Sequence, residues 1–248
     1  MQDAATQILA IALTFVLAGF VKGVSGMGLP TFAMGLLGLW MLPAEAAALL
    51  VVPSLATNVL QYLAGGNRLL LLRRTWPMLL MICIATFAAT GLITGHGEAH
   101  ATTWLGAALV AYAALALANV PFAVPRQREF GLSLVVGATT GLVTGATGVF
   151  VIPAVPYLQA LALEKDDLVQ VLGLSFTAST VALAAGLASR GAFQITAAES
   201  SALCTLPALA GMGLGQMIRA RIAAATFRKV FLIGLLVLGA DLVTRSLL

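Results

Sequence analysis

Apolar stretches of about 20 residues, each long enough as helix to span roughly 30 Å of hydrocarbon, follow one another along the chain with only short polar, glycine or proline interruptions. The first runs from Ala5 to Val21. A glycine passage, Gly19-Phe20-Val21-Lys22-Gly23-Val24-Ser25-Gly26-Met27-Gly28-Leu29-Pro30, interrupts it, and a shorter apolar piece covers Thr31 to Leu42. Glycine and proline disfavour a helix interior by about 1 and 3 kcal/mol, so the pattern predicts a break here and a pair of broken or half-spanning helices. Further segments are predicted over Ala44 to Ala64, Trp76 to Thr94 and Thr102 to Asn119. A proline- and arginine-containing connector, Pro121 to Glu129, follows. The plan then repeats: short pieces surround Thr144 to Pro153 and reach Leu163, and longer ones cover Leu168 to Ala188, Ile195 to Met217 and Phe227 to Val243.

The repetition extends to residues. Gly19, Val21, Gly23 and Gly26 recur as Gly141, Val143, Gly145 and Gly148, and Ser25 is answered by another hydroxyl, Thr147. At the same offset Glu45 faces Asp167, Thr57 faces Ser179, Arg68 faces Arg190 and Gly91 faces Gly213. A single gapless offset of this kind predicts duplication, with residues 1–121 as one membrane repeat and 122–248 as the other, in one integral membrane domain. The odd number of five segments per half makes the second copy inverted. The predicted fold class is therefore an all-α polytopic membrane protein of two inverted five-segment repeats, with 8 to 10 transmembrane segments.

Composition narrows the function classes. The chain is 60% hydrophobic and 9% charged, with a mean hydropathy of +1.03. That leaves too little polar surface for a water-soluble catalytic domain. The net charge of +4 arises in short loops and bears on membrane orientation rather than nucleic acid. With the loop at Arg68, Arg73 and Arg74 on the cytoplasmic side, tracing onward puts Arg126, Arg128, Lys165, Arg219, Arg221, Arg228 and Lys229 there too. These are ten of the thirteen basic residues, and both termini fall outside. The start, Met1-Gln2-Asp3, lacks the basic region of a signal peptide and reads as a mature first segment. Cys83 and Cys204 both lie in apolar stretches and read as buried thiols rather than a disulfide.

The candidate chemistry is that of a donor-rich anion site. Broken helices at the bilayer midplane aim free N–H groups and positive dipole ends into a shared cavity. On this reading Ser25 and Thr147 donate hydroxyl hydrogen bonds, the amides around Gly23, Gly26, Gly145 and Gly148 add further donors, and Lys22, matched by Thr144, supplies charge. The alternative is structural: Gly19 and Gly23, like Gly141 and Gly145, have the small-xxx-small spacing of close helix packing, and Lys22 has the stem to snorkel to an interface. A second cluster, Ser54, Thr57, Asn58 and Gln61, recurs at helical spacing on one face, answered by Ser175, Thr177, Ser179 and Thr180. Interhelical hydrogen bonding is its alternative. Glu45 and Asp167 begin matching helices and read as caps, and Arg68 and Arg190 as interface anchors. His96 and His100, in a polar loop, are too few for a metal site, and no cofactor is expected. Gly23-Val24-Ser25-Gly26 has the form of an intramembrane serine protease motif but lacks a base at its depth. A cation pump lacks interior carboxylates.

The duplicated Gly-x-Ser/Thr-Gly passage followed by proline, the Pro-x-x-Ala start at Pro43 to Ala46 and the Gly66-Asn67-Arg68 exit resemble the sulfite exporter TauE/SafE family, within the toluene sulfonate uptake permease superfamily. The resemblance covers essentially the whole chain. It implies a transporter of small anions, such as sulfite, sulfoacetate, other sulfonates or carboxylates, in a bacterial inner membrane with periplasmic termini. An anion channel is the runner-up. The implied partners are a small anion and the lipid bilayer, with no nucleic acid; a homodimer is left open. Where family members carry a glycine run after the break, the second copy has Gly148-Val149-Phe150, so Phe150 puts strict symmetry of the two turns in doubt. The topology predicts that a reporter fused to either terminus reads as periplasmic; a cytoplasmic signal would overturn it.

Overall fold

A computed structural model describes residues 2–95, 98–119, 123–221 and 223–247, and the regular structure among them is entirely helical. His96 and the 121/122 boundary between the halves lie outside the described residues. The first half comprises α1 (Gln2–Ser25), α2 (Leu29–Leu37), α3 (Pro43–Leu63), α4 (Arg68–Thr94) and α5 (Glu98–Ala118). After a single 3-10 turn at Arg126–Arg128 come α6 (Glu129–Thr147), α7 (Ala154–Ala160), α8 (Lys165–Ser189), α9 (Ile195–Leu203), α10 (Thr205–Ile218) and α11 (Ala224–Leu247). Among the described residues seven spans are long and apolar enough to cross a membrane, α9 and α10 counting as one. The sequence predicts eight to ten. Helices α2 and α7, of 9 and 7 residues, are the two short pieces.

Several boundaries differ from expectation for physical reasons. Helix α1 does not break at its glycines but runs through Gly19 and Gly23 to Ser25. Both glycines face α10, where a methyl group would overlap the carbonyl oxygens of Ala208 and Met212. Tertiary contact thus outweighs their low helix propensity. Helix α4 begins at Arg68, so Arg68, Arg73 and Arg74 lie within the helix rather than in a loop. His100 lies in the first turn of α5 rather than in a loop. The predicted Ile195 to Met217 segment is divided at Cys204. Pro207 explains the division, since it has no N–H to offer the carbonyl four residues back. In α3, Pro53 leaves the Leu49 carbonyl open in the same way, and Ser201 of α9 closes it: its Oγ donates to Leu49 O at 2.7 Å and accepts from Val52 N at 3.0 Å.

Glycine contacts fix the relative directions of the helices. Gly19 lies on Ala208 and Gly23 on Met212, so α1 runs parallel to α10. Gly137, Gly141 and Gly145 lie in turn on Met78, Ile82 and Thr86, so α6 runs parallel to α4. Helices α3 and α8 cross antiparallel, with Gln61 Nε2 donating to Val169 O at 2.7 Å and Gln170 Nε2 to Tyr62 O at 2.8 Å. These contacts correct the gapless offset. Gly19 and Gly141 occupy like positions 122 residues apart, but their carbonyl partners, Ala208 and Ile82, are 126 apart. The difference is one extra turn at the end of α8, which runs to Ser189, whereas α3, started at the matching position, stops at Leu63. Arg68 and Arg190 are consequently not equivalents. Arg68 starts α4 and bonds the closing carbonyls of α3, Gly65 O at 3.2 Å and Leu63 O. Arg190 caps its own helix at Gly186 O, 3.2 Å away, and lies over the Phe87 ring.

A methyl at Gly141 would come within 2.7 Å of Ile82 O, whereas one at Gly213 would meet nothing within 4 Å. Gly141→Val is therefore expected to cost about 1–3 kcal/mol through overpacking, read as a melting temperature lower by about 2–4 °C per kcal/mol in detergent. Gly213→Ala should leave it unchanged or raise it.

Candidate functional site: a buried lysine beside a cationic vestibule

The two helix breaks are built alike. Ser25 Oγ donates to Val21 O at 2.7 Å and accepts from Met27 N at 3.3 Å. Thr147 Oγ1 donates to Val143 O at 2.7 Å and accepts from Val149 N at 3.2 Å. Each hydroxyl closes the last turn of its helix and caps the first amide beyond it. The chain then turns through left-handed glycines: Gly26 at φ 79°, Gly28 at 98° and Gly148 at 70°. The Gly26 and Gly148 amides bond Lys22 O at 2.7 Å and Thr144 O at 2.8 Å. Gly23 and Gly145 are packing positions within their helices. Thr144 Oγ1 turns to Val149 O at 3.2 Å, and Thr57 Oγ1 to Pro53 O at 2.8 Å. Most of the expected anion donors are therefore engaged by backbone. An anion at the breaks would have to displace these bonds.

Five predicted residues remain available. Lys22 is only 3% exposed, and its Nζ donates to Asn58 Oδ1. An ammonium has three N–H groups, so this bond leaves donors free. Asn58 Nδ2 and the hydroxyls of Ser54, Ser175 and Ser179 are fully buried with no hydrogen-bond partner. Ser54 and Asn58 stand one turn apart on α3, and Ser175 and Ser179 one turn apart on α8. The antiparallel crossing brings these stretches together, with Gly173 against Asn58 O. Among the described residues the ion pairs are Arg74–Glu129 and Arg245–Asp241, and neither involves Lys22. The sequence reading missed three further buried, unpartnered hydroxyls: Thr31 on α2, Thr86 on α4 and Thr140 on α6. Nothing in the sequence separates them from threonines that bond their own backbone, such as Thr75 and Thr90 of α4 or Thr139 and Thr147 of α6.

A cavity of about 770 Å³ opens beside the first break, lined by Ser25 and Met27 of the break itself, by Tyr112 and Phe231, and at its rim by Lys165, Arg219 and Arg228. Among the described residues no carboxylate lines it. Arg228 is held by Asn119 Oδ1 at 3.5 Å and Ala116 O at 3.2 Å. Helix ends from both halves build this vestibule. In the sequence its cations spoke only to orientation, because nothing local links positions so far apart. The side chains near the second break are apolar instead. Met34 and Leu37 of α2, Ile93 of α4, Leu105 of α5 and Leu242 of α11 are all essentially fully buried. A methyl at Gly148 would lie 2.9 Å from Met34 Cε, and one at Gly38 2.8 Å from Leu105 Cδ2. Phe150 turns into the core against Phe176, ring centroids 6.4 Å apart, and is fully buried. One break is thus open to solvent, and the other is plugged by apolar side chains.

No curated protein and no solved structure matches the chain. A sequence profile described as Sulfite exporter TauE/SafE matches residues 11–242, nearly the whole length. With multiple apolar helices long enough to span a bilayer, the chain is a multi-pass membrane protein that belongs to the sulfite exporter TauE/SafE transporter family.

Proposed function

We propose that the protein is a secondary transporter that moves small anions, such as sulfite, sulfonates including sulfoacetate, or related carboxylates, by alternating access. The observation that carries this reading is Lys22. It is an amine buried inside the protein and bonded to the neutral amide of Asn58 on α3, and the packed α3–α8 pair carries the unpartnered Asn58 Nδ2 and the hydroxyls of Ser54, Ser175 and Ser179. Burying an unpaired charge costs several kcal/mol. An anion supplies both missing quantities, negative charge and hydrogen-bond acceptors. Lys22, Asn58, Ser54, Ser175 and Ser179 form the core of the proposed site, reached from the vestibule past Ser25 and Met27. Thr57, Thr144, Thr147 and the glycines at positions 23, 26, 145 and 148 shape its walls.

Parallel pairing of α1 with α10 and of α6 with α4, together with the antiparallel crossing of α3 and α8, supports two repeats of opposite orientation, 1–121 and 122–248. Such repeats can exchange two near-equivalent packings around a central site. The plugged second break favours a transporter over a channel, since a channel needs both ends open at once. Lys165, Arg219 and Arg228 belong to the basic set that the positive-inside rule assigns to the cytoplasm. That supports a cytoplasmic vestibule and periplasmic termini in a bacterial inner membrane.

Purified protein in proteoliposomes is expected to take up sulfite or sulfoacetate saturably. Lys22→Met should lower that flux by roughly two orders of magnitude, the ~2–5 kcal/mol of a buried hydrogen-bonded charge pair, without changing the elution profile. Wild-type flux in Lys22→Met would overturn the assignment. In a cysteine-free background, Ser25→Cys should react with an impermeant thiol reagent from the vestibule side, and Met34→Cys should stay unreactive from either side until substrate is added. Immediate labelling of Met34→Cys would contradict a closed plug.

A further inference from the structure

The chemistry around Lys22 also bears on what travels with the anion. Helix α2 carries no ionisable side chain, and α10 none between its Cys204 cap and Arg219. On α3 the sole carboxylate is Glu45, in the first turn, at the far end from Asn58. Helix α8 offers Asp166 and Asp167 in its own first turn, the latter accepting from Asn67 Nδ2 at 2.9 Å. Helix α11 presents Arg228 and Lys229 at its start and a mutually paired Asp241 and Arg245 near its end. Among the described residues no carboxylate pairs with Lys22, and its partner, Asn58 Oδ1, accepts from an amine and, more strongly, from an ammonium. The site is charge-balanced in only two ways: as a neutral amine when empty, or as an ammonium when an anion is present.

We propose that the protein is a proton–anion symporter in which Lys22 is the proton carrier. The proposal rests on the anion-transport reading above. A hydronium ion in the vestibule gives its proton to the Nζ lone pair, leaving water, as the anion binds. The change of access then turns the ammonium–anion pair to the other face, where the Nζ–H bond breaks, the proton passes to water as hydronium, and the anion leaves with it. The empty carrier returns with the neutral amine. One proton and one monoanion move per cycle with no net charge. A carboxylate in place of Asn58 would hold the ammonium permanently and break this link between anion and proton.

Sulfonates test this cleanly, because they stay ionised at every working pH and cannot bring the proton themselves. Protein reconstituted in liposomes containing a pH-sensitive dye is exposed to a series of monovalent sulfonates, from methanesulfonate to butanesulfonate, with sulfite as a reference. The expected result is internal acidification at about one proton per sulfonate, with no current in voltage-clamped membranes. Charge movement without acidification would overturn the proposal. Lys22→Arg, whose guanidinium never deprotonates, gives a second reading. It should lose net uptake by roughly a hundredfold, the factor that an unpaired charge at the bilayer centre imposes, while still exchanging internal for external anion. Net uptake at wild-type rates in Lys22→Arg would also overturn it. Movement of no anion at all, sulfite included, would instead defeat the transport reading itself.

Discussion

Hydrocarbon offers no hydrogen-bond partners, so the carbonyls and amides that α1 and α6 leave open at their breaks have to be closed from within the protein. The chain does this the same way twice. A hydroxyl four residues beyond a valine takes that valine's carbonyl and caps the amide two residues on, as Ser25 does with Val21 and Met27 and Thr147 with Val143 and Val149. Ser201 performs a related service across helices, closing the gap that Pro53 opens in α3. The end of α7 is secured by polar side chains: Tyr157 Oη donates to Glu129 O at 3.0 Å and meets Ser133 Oγ at 2.7 Å, while Arg74 binds both Glu129 oxygens, at 2.7 and 2.9 Å. With the backbone closed locally, irregular segments can exist deep in the molecule without water, and a polar site can form beside them.

Backbone proximity is the second requirement. Gly19 and Gly23 on α10, and Gly141 and Gly145 on α4, bring main chains together so closely that no side chain fits between. Contacts this tight favour rigid pairs that move as units rather than bend. The two pairs are built on the same register, yet what lies beyond them differs. Outside the first break stands an open vestibule lined by cations; beside the second, Met34 packs on Gly148, and Leu105 and Leu242 pack on Gly38. Like scaffolds with unlike closures are what a protein caught on one side of an exchange would present.

Much of this was legible in the sequence. Segment lengths gave the helices, and the duplicated glycine passage located both breaks to within a few residues. Propensity, however, misjudged Gly19 and Gly23. A glycine read alone predicts a break, whereas a partner backbone only a carbonyl's width away converts the same residue into a packing position. The gapless offset failed for another reason: one additional helical turn at the end of α8 leaves side-chain periodicity almost unchanged, so it hides within matching apolar runs. Of the candidate site residues, Ser54 and Asn58 stood out by their spacing on one helical face, and Ser175 and Ser179 as members of the answering cluster in the second half. Whether a hydroxyl was free or spent on its own helix was not visible, because Thr57 and Ser54 look alike until the i−4 carbonyl of each is examined. The vestibule was illegible for the simplest reason, since its cations come from helix ends brought together only by the fold.

The pair Lys22 and Thr144 marks where the two halves part chemically. Thr144 spends its hydroxyl on Val149 O, so the second half contributes no charge at the equivalent position. What the second half offers instead is the buried, unpartnered hydroxyls of Ser175 and Ser179 on α8. Two lysines facing one cavity would repel each other and, once protonated, would hold two anions or a dianion. In the proposed site a single lysine would limit the positive charge to one and supply it from the first half alone, since Thr144 occupies the matching position. A site charged from one half alone cannot present identical surroundings to the two faces. The anion would therefore be held with different affinity when the first break is open than when the second is, and the asymmetry would reside in the binding residues themselves rather than in the scaffold that moves around them.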